Sequence, residues 1–290
     1  MWGTADFLTL PPELQAKWQK LEECLRSRGK ILVAYSGGVD SAFLAWAAHG
    51  TSRGQMLAVI ADSPSLARSQ LREAIAFCDE HSIPIQVLPT AEMERPEYAR
   101  NDSMRCFHCK DELFTSLEKY AQQHSFDTIA YGVNLDDQGD YRPGQQAASQ
   151  HGVAAPLLEA GLSKQDIRDL ARGAGLRVWN KPASACLSSR IEYGREISVE
   201  ELRQVEAGED ALRALGFRQL RVRHHGQIVR IEIAREELPR AVEPEMMAEF
   251  VRIFKSLGFA YVTLDLEGFR SGSMNAMLPL EALSARAPEN

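Results

Sequence analysis

Residues 30–41 constrain this chain more than any other stretch. Lys30-Ile31-Leu32-Val33-Ala34 is a short apolar run that reads as a buried strand. Ala42-Phe43-Leu44-Ala45-Trp46-Ala47-Ala48 reads as a helix. Between them Tyr35-Ser36-Gly37-Gly38-Val39-Asp40-Ser41 leaves room only for a tight turn into the helix N-terminus. Two glycines let the backbone approach a ligand with no Cβ in the way. The first helical turn carries free N–H groups and a partial positive charge, which suits an anion. Ser36 and Ser41 add hydroxyl donors, and Asp40 suits a Mg²⁺ bridging to phosphate oxygens. The turn matches neither the G-x-x-x-x-G-K-[ST] nor the G-x-G-x-x-G phosphate loop.

The rest of the first two thirds alternates in the same way. Residues 11–28 place Leu14, Trp18, Leu21 and Leu25 at helical spacing, with Cys24 expected as a small buried side chain. Residues 55–61 form a second strand ending at Asp62-Ser63-Pro64, and residues 65–81 a helix with Cys78 in its core face. Residues 83–88 form a third strand, whose Pro84 suits a sheet edge or the beginning of a strand. Residues 94–105 are polar and irregular, and lead into Cys106-Phe107-His108-Cys109 at the start of a helix. A fourth strand, 126–131, ends in Gly132-Val133-Asn134 and an acidic turn-rich loop. This alternation predicts a parallel, doubly wound α/β sheet. Ligands of such sheets lie at the carboxyl ends of the strands, which makes Ala61, Asp62 and Ser63, and Gly132 with the acidic loop 135–144 after it, candidates beside the turn.

Ser163 and Asp166 mark a capped helix that stops near Gly173 and Gly175. A long aperiodic loop follows, containing Cys186 and Ser188-Ser189-Arg190. From residue 196 the pattern changes: a helix capped by Ser198, strands at 218–225 and 228–233 around Gly226, a helix at 244–257 and a strand at 261–266. Residues 1–195 are therefore read as one α/β domain and 196–290 as a smaller α+β domain.

The 290 residues carry 44% hydrophobic and 25% charged side chains, within the range of globular proteins. No apolar run approaches the ~20 residues of a membrane span. The net charge of −7 argues against a stable nucleic-acid partner. The five cysteines are sparse and odd in number, and the first ten residues lack a secretory pattern, so the thiols are expected reduced and the chain cytoplasmic. Cys106, Cys109 and Cys186 together offer three thiolates. With an open fourth position that set fits a 4Fe–4S cluster better than structural zinc; three unligated thiols are the alternative.

The run Ser36-Gly37-Gly38-Val39-Asp40-Ser41 resembles the signature of the PP-loop (HUP-like) ATP pyrophosphatases, which split ATP between its α- and β-phosphates and adenylate a substrate. With Asp137, Asp140-Tyr141-Arg142-Pro143-Gly144, Trp179-Asn180-Lys181, Ser188-Ser189-Arg190, Arg221-Val222-Arg223, Arg230-Ile231-Glu232 and Gly268-Phe269-Arg270-Ser271-Gly272, nearly the whole chain resembles the LarE family of ATP-dependent sulfur transferases, which make the thio groups of the nickel-pincer nucleotide.

The resemblance implies a pyridinium carboxylate mononucleotide as substrate and ATP and Mg²⁺ as co-reactants. It also implies sulfide or another sulfur donor, and a homo-oligomer. One branch of the family sacrifices a single cysteine, whose position matches Ala185 here; a three-cysteine branch carries a 4Fe–4S cluster, and Cys106, Cys109 and Cys186 fit that branch. The candidate catalytic set is then Cys106, Cys109, Cys186, Asp40, Ser189 and Arg190. Ser36 to Ser41, Ala61, Asp62 and Gly132 face ATP, with Asp40 the Mg²⁺ ligand. Arg190, Arg221 and Arg223 are candidates for the substrate phosphate, since arginine supplies planar paired donors; a solvated strand face is the alternative for the last two. Glu209 is expected on a helix surface, with an acid/base or metal contact as the alternative by family position.

Rival readings are a PP-loop tRNA thiolase with an iron–sulfur cluster, an ammonia-using synthetase, and a nucleotide-binding regulator without turnover. The acidic charge weighs against the first, and the three thiols against the second.

Overall fold

The computed structural model describes residues 7, 10–52, 54–138, 143–182 and 185–270. In chain order the elements are α1 (Pro12–Arg26), β1 (Ile31–Ala34), α2 (Val39–Thr51), β2 (Met56–Asp62), α3 (Arg68–Glu80), β3 (Ile85–Pro89), α4 (Pro96–Ala99), α5 (Arg105–His124), β4 (Thr128–Tyr131), α6 (Pro143–Gln150), α7 (Pro156–Glu159), α8 (Lys164–Gly173), α9 (Val199–Ala214), β5 (Leu220–His225), β6 (Ile228–Ile233), α10 (Leu238–Ala241), α11 (Pro244–Ser256) and β7 (Tyr261–Leu264). The chain divides into two compact units. The first is Met1–Ser63, Arg68–Glu92 and Cys106–Ser184; the second is Pro64–Ala67, Met93–Arg105 and Ala185–Asn290.

The first unit is built on a four-stranded parallel sheet in the order β3-β2-β1-β4. The α/β class read from the sequence is what the chain adopts, and β3 with its preceding Pro84 is indeed an edge. β1 is central and buried along its whole length. Helix α2 is apolar all round: Ala42, Phe43, Leu44, Ala45, Ala47 and Ala48 are all fully buried, which marks an internal helix. Trp18 of α1 packs within 6.0 Å of both Phe43 and Trp46, sealing that side of α2. Burying side chains of this size contributes roughly 1.5–3 kcal/mol each, so α2 and the turn before it are strongly held.

Two sequence readings need correction here. The helix expected from residue 65 begins at Arg68, and Pro64–Ala67 belongs to the second unit. Cys24 is half-buried rather than internal: its thiol donates to Glu159 Oε2 at 3.2 Å and accepts from Arg28 Nε at 3.4 Å. It lies beside the buried stripe of Leu14, Trp18, Leu21 and Leu25, not in it.

The second unit holds a small mixed sheet, β5-β6-β7, with β5 antiparallel and β7 parallel to β6. α9 and α11 bury Leu202, Val205, Leu212, Phe250, Ile253 and Phe254. Ser198 caps α9 by accepting from Glu201 N at 3.2 Å, while the Glu201 carboxylate goes to Arg195 instead of closing a capping box. Among the described residues no helix is long and apolar enough to cross a membrane.

Candidate functional site

In the first unit the ends of β1, β2 and β4 lie along one sheet edge, since the strands are parallel. Ser36 to Ser41, Ala61, Asp62 and Gly132 therefore share that edge. Gly37 has φ +72°, and a Cβ there would stand 2.8 Å from Ala74 Cβ. Gly132 serves a different purpose. A Cβ at 132 would lie 2.8 Å from Ser41 N and 2.9 Å from Ser41 Cα, so the end of β4 passes directly against the start of α2. Gly38 is the residue before α2, and no side chain caps the helix. The two serines hold the turn's own shape: Ser36 N donates to Ser41 Oγ at 3.1 Å, the two hydroxyls are 3.0 Å apart, and Ser41 Oγ donates to Gly38 O at 3.2 Å.

Asp40 is the acid in the first turn of α2. Its Oδ2 accepts from Asn134 Nδ2 at 3.3 Å and from the Lys164 ammonium. Its Oδ1 is buried and has no partner among the described residues. A buried carboxylate oxygen left open in this way fits a divalent cation, which seeks oxygen ligands. Asn134 is itself fixed, capping the 3-10 turn Leu135–Asp137 in a reciprocal box with Asp137. Lys181 Nζ donates to Gly37 O at 3.1 Å and pairs with Glu73 at 2.9 Å. Asp62 is held by Arg68, which also donates to Ser63 O at 2.7 Å.

Sequence reasoning missed Lys164 and Asn134 as site residues. A lysine at the first position of a helix opposes the macrodipole, and that anomaly was the available signal.

Cys106 and Cys109 lie at the start of α5 in the first unit, Cys106 exposed and Cys109 half-buried. Further along α5, Asp111 and Glu118 accept from the two ring nitrogens of His151 at 3.0 and 2.9 Å, tying α5 to the end of α6. Burial alone would lower the His151 pKa, but the hydrogen bonds and charges of Asp111 and Glu118 outweigh it and raise it. A raised folded pKa gives stability that is full below the unfolded value and fades as pH rises through the folded one. Thermal melts from about pH 6 to about pH 9 should show a midpoint that falls with pH, and His151→Gln should flatten that slope. A wild-type slope unchanged in the variant would assign the pH dependence elsewhere.

In the second unit, Cys186 precedes the 3-10 turn Leu187–Arg190. That turn is anchored on all sides. Leu187 N donates to Ser65 O at 2.8 Å, and Tyr98 Oη meets Ser188 Oγ at 2.6 Å. Arg105, the residue before Cys106, donates to Ser188 O at 3.0 Å and to the buried Asn101. Arg190 is 1% exposed. Its NH1 donates to Ala185 O at 2.7 Å, Cys186 O at 2.9 Å and Ser189 Oγ at 2.9 Å, and its Nε to Glu209 at 2.9 Å.

Glu209 is not a surface residue: it is 1% exposed, bound also by Arg213 at 2.8 Å and by Val222 N at 3.4 Å. Burial would raise its pKa, but the charges of Arg190, Arg213 and Arg221 more than offset this and hold it below the ordinary carboxylate range. Arg223 donates to Ser189 O and to the fully buried Glu232, both at 3.0 Å. Arg230 pairs with Glu232 at 3.2 Å and Asp265 at 2.6 Å. Arg221 differs. Its guanidinium stacks 5.0 Å from the Phe269 ring and donates to Leu220 O, and among the described residues no carboxylate pairs with it. Burial, then the repulsion of Arg190, push its pKa down to about 10.

Among the described residues no three His, Cys, Asp or Glu side chains are grouped to hold a metal ion. Asp140, Tyr141, Arg142, Ser271 and Gly272 of the motifs named above lie outside the described residues.

A parallel sheet whose central strand runs through Ser-Gly-Gly into a buried helix, accompanied by a small mixed sheet, is a PP-loop-like α/β fold. No protein-family model matches the chain. It is 34% identical over 278 residues to the pyridinium-3,5-bisthiocarboxylic acid mononucleotide synthase of Lactiplantibacillus plantarum, an alignment covering 94% of this chain and 99% of that one. The chain belongs to the LarE family. It is also 41% identical, over 91% of its length and 99% of the other's, to an uncharacterized protein of Synechocystis. A second uncharacterized relative, from Methanocaldococcus jannaschii, is 29% identical over 83% of this chain and 91% of its own.

Proposed function

We propose that this protein is an ATP-dependent sulfur transferase that converts the carboxylate of a pyridinium mononucleotide to a thiocarboxylate. The observation that carries the ATP part is Asp40 at the uncapped start of α2, with one oxygen buried and open, Lys164 on the other, and Lys181 on the carbonyl of Gly37 in the same turn. The substrate carboxylate attacks the α-phosphorus of ATP; the bond to the β-phosphate oxygen breaks and pyrophosphate leaves. The uncapped first turn of α2 and the nearby ammonium groups supply the donors that stabilise this charge. Asp40 would hold Mg²⁺, which neutralises the phosphates when bound. Arg221, a half-buried cation that makes no ion pair among the described residues, suits the substrate phosphate. Arg190 suits a different task, holding the carbonyls of Ala185 and Cys186 in place.

A sulfur nucleophile then adds to the acyl carbon and AMP leaves. Cys106, Cys109 and Cys186 have the soft-donor chemistry of a 4Fe–4S site, although the described residues do not assemble a ligand set. Cys106, Cys109 and Cys186 would hold such a cluster, and it would carry sulfide delivered by an external donor in a form nucleophilic at neutral pH. The family resemblance further supports a cytoplasmic homo-oligomer.

Two measurements test the reading. Pyrophosphate release on adding the carboxylate mononucleotide and ATP tests the activation half; its absence refutes it. Anaerobic purification should give a coloured protein with about four irons and four sulfides per chain, and Cys109→Ala should lose both colour and multiple turnover. A colourless, iron-free protein that thiolates once per chain would refute the cluster and indicate one sacrificed thiol.

A further inference from the structure

Two lysines reach the 36–41 turn from elements distant in sequence: among the described residues the Lys164 ammonium contacts Asp40, and that of Lys181 contacts Gly37 O and Glu73. Lys164 is the first residue of α8, where a positive charge is least favourable. Its backbone is fixed twice over: Ser163 and Asp166 form a complete capping box, and Lys164 N donates to Asp136 Oδ2 at 2.7 Å. The helix start thus needs nothing from the side chain, which reaches across to Asp40. Lys181 donates to a neutral carbonyl, that of Gly37, and pairs with Glu73, whose side chain is 62% exposed and so adds little. A carboxylate at position 40 would repel incoming phosphates unless offset. Lysine, a flexible point charge with three donors, can exchange one acceptor for another more readily than the planar guanidinium.

We infer that Lys164 and Lys181 are polyphosphate-binding arms. Without nucleotide they rest on Asp40 and on Gly37 O; when ATP binds they transfer to its β- and γ-phosphate oxygens and remain on the pyrophosphate after cleavage. This rests on the ATP-dependent reading above.

Calorimetric binding of three probes, ATP, inorganic pyrophosphate and AMP, to the full chain tests it. Lys164→Met and Lys181→Met should each weaken ATP and pyrophosphate by roughly tenfold or more, the size of a lost charge-assisted hydrogen bond, with AMP changed less than about twofold. Lys164→Arg should recover part of the loss, and Lys164→Gln serves if the methionine variant does not fold. An equal loss for AMP, or no loss for any probe, overturns the inference. A wild-type chain that binds none of the three refutes the ATP reading itself, which is a separate result.

Discussion

Glu209→Ala should lower the unfolding free energy by about 3–5 kcal/mol, the cost of removing one member of a buried ion pair. Glu209 and Arg190 are each 1% exposed and bonded at 2.9 Å, and the carboxylate also receives Arg213. Deleting it leaves the Arg190 cation buried, close to Arg213 and Arg221, with no counter-charge. Replacing both partners, as Arg190→Met with Glu209→Leu, should recover much of the loss, because an apolar pair needs no counter-ion. The same double variant removes the donor that holds Ala185 O and Cys186 O, so stability and sulfur transfer should part company. Denaturant titration of the single and double variants checks this. A single variant within about 1 kcal/mol of wild type would show that the ion pair is not what holds this loop.

Gly132→Ala should also be damaging, though less so, at about 1–3 kcal/mol, because the added methyl meets backbone rather than a flexible side chain. Its contacts would be Ser41 N at 2.8 Å and Asp40 C at 3.0 Å, so relief requires moving the start of α2. ATP affinity should fall with stability. Gly161→Ala is the control: its φ is +72° but nothing lies within 4 Å, so it should cost stability through backbone strain alone and leave nucleotide affinity unchanged. Equal ATP affinity in Gly132→Ala and wild type would dissociate the end of β4 from the turn.

What was legible in the sequence was whatever local rules decide. The run from β1 through Gly37 into α2, the Ser163–Asp166 box opening α8 and the Gly226 hairpin all follow from neighbours a few residues apart. Glu209 was not legible. Hydrophobic patterning assigns a glutamate to the outside of a helix, and it is Arg190, 19 residues upstream, together with Arg213, that makes the inside tolerable. Asn134 and Lys164 escaped for a similar reason, since their meeting with Asp40 spans 94 and 124 residues. Residues 94–105 looked irregular because Tyr98, Asn101 and Arg105 satisfy their polar groups on Ser188, Ile191 and Glu192, far along the chain.

That last arrangement sets a timetable for synthesis. Tyr98 leaves the ribosome 90 residues ahead of Ser188, and Arg105 leads it by 83. At ordinary translation speeds these side chains wait on the order of ten seconds for their partners. Through that interval the arginine, the asparagine with its positive φ and the tyrosine must remain hydrated and available while β4, the last strand of the parallel sheet, is still being made and added. The polar character of 94–105 suits such a wait: a segment that must stay soluble until its anchor arrives cannot be written in apolar residues.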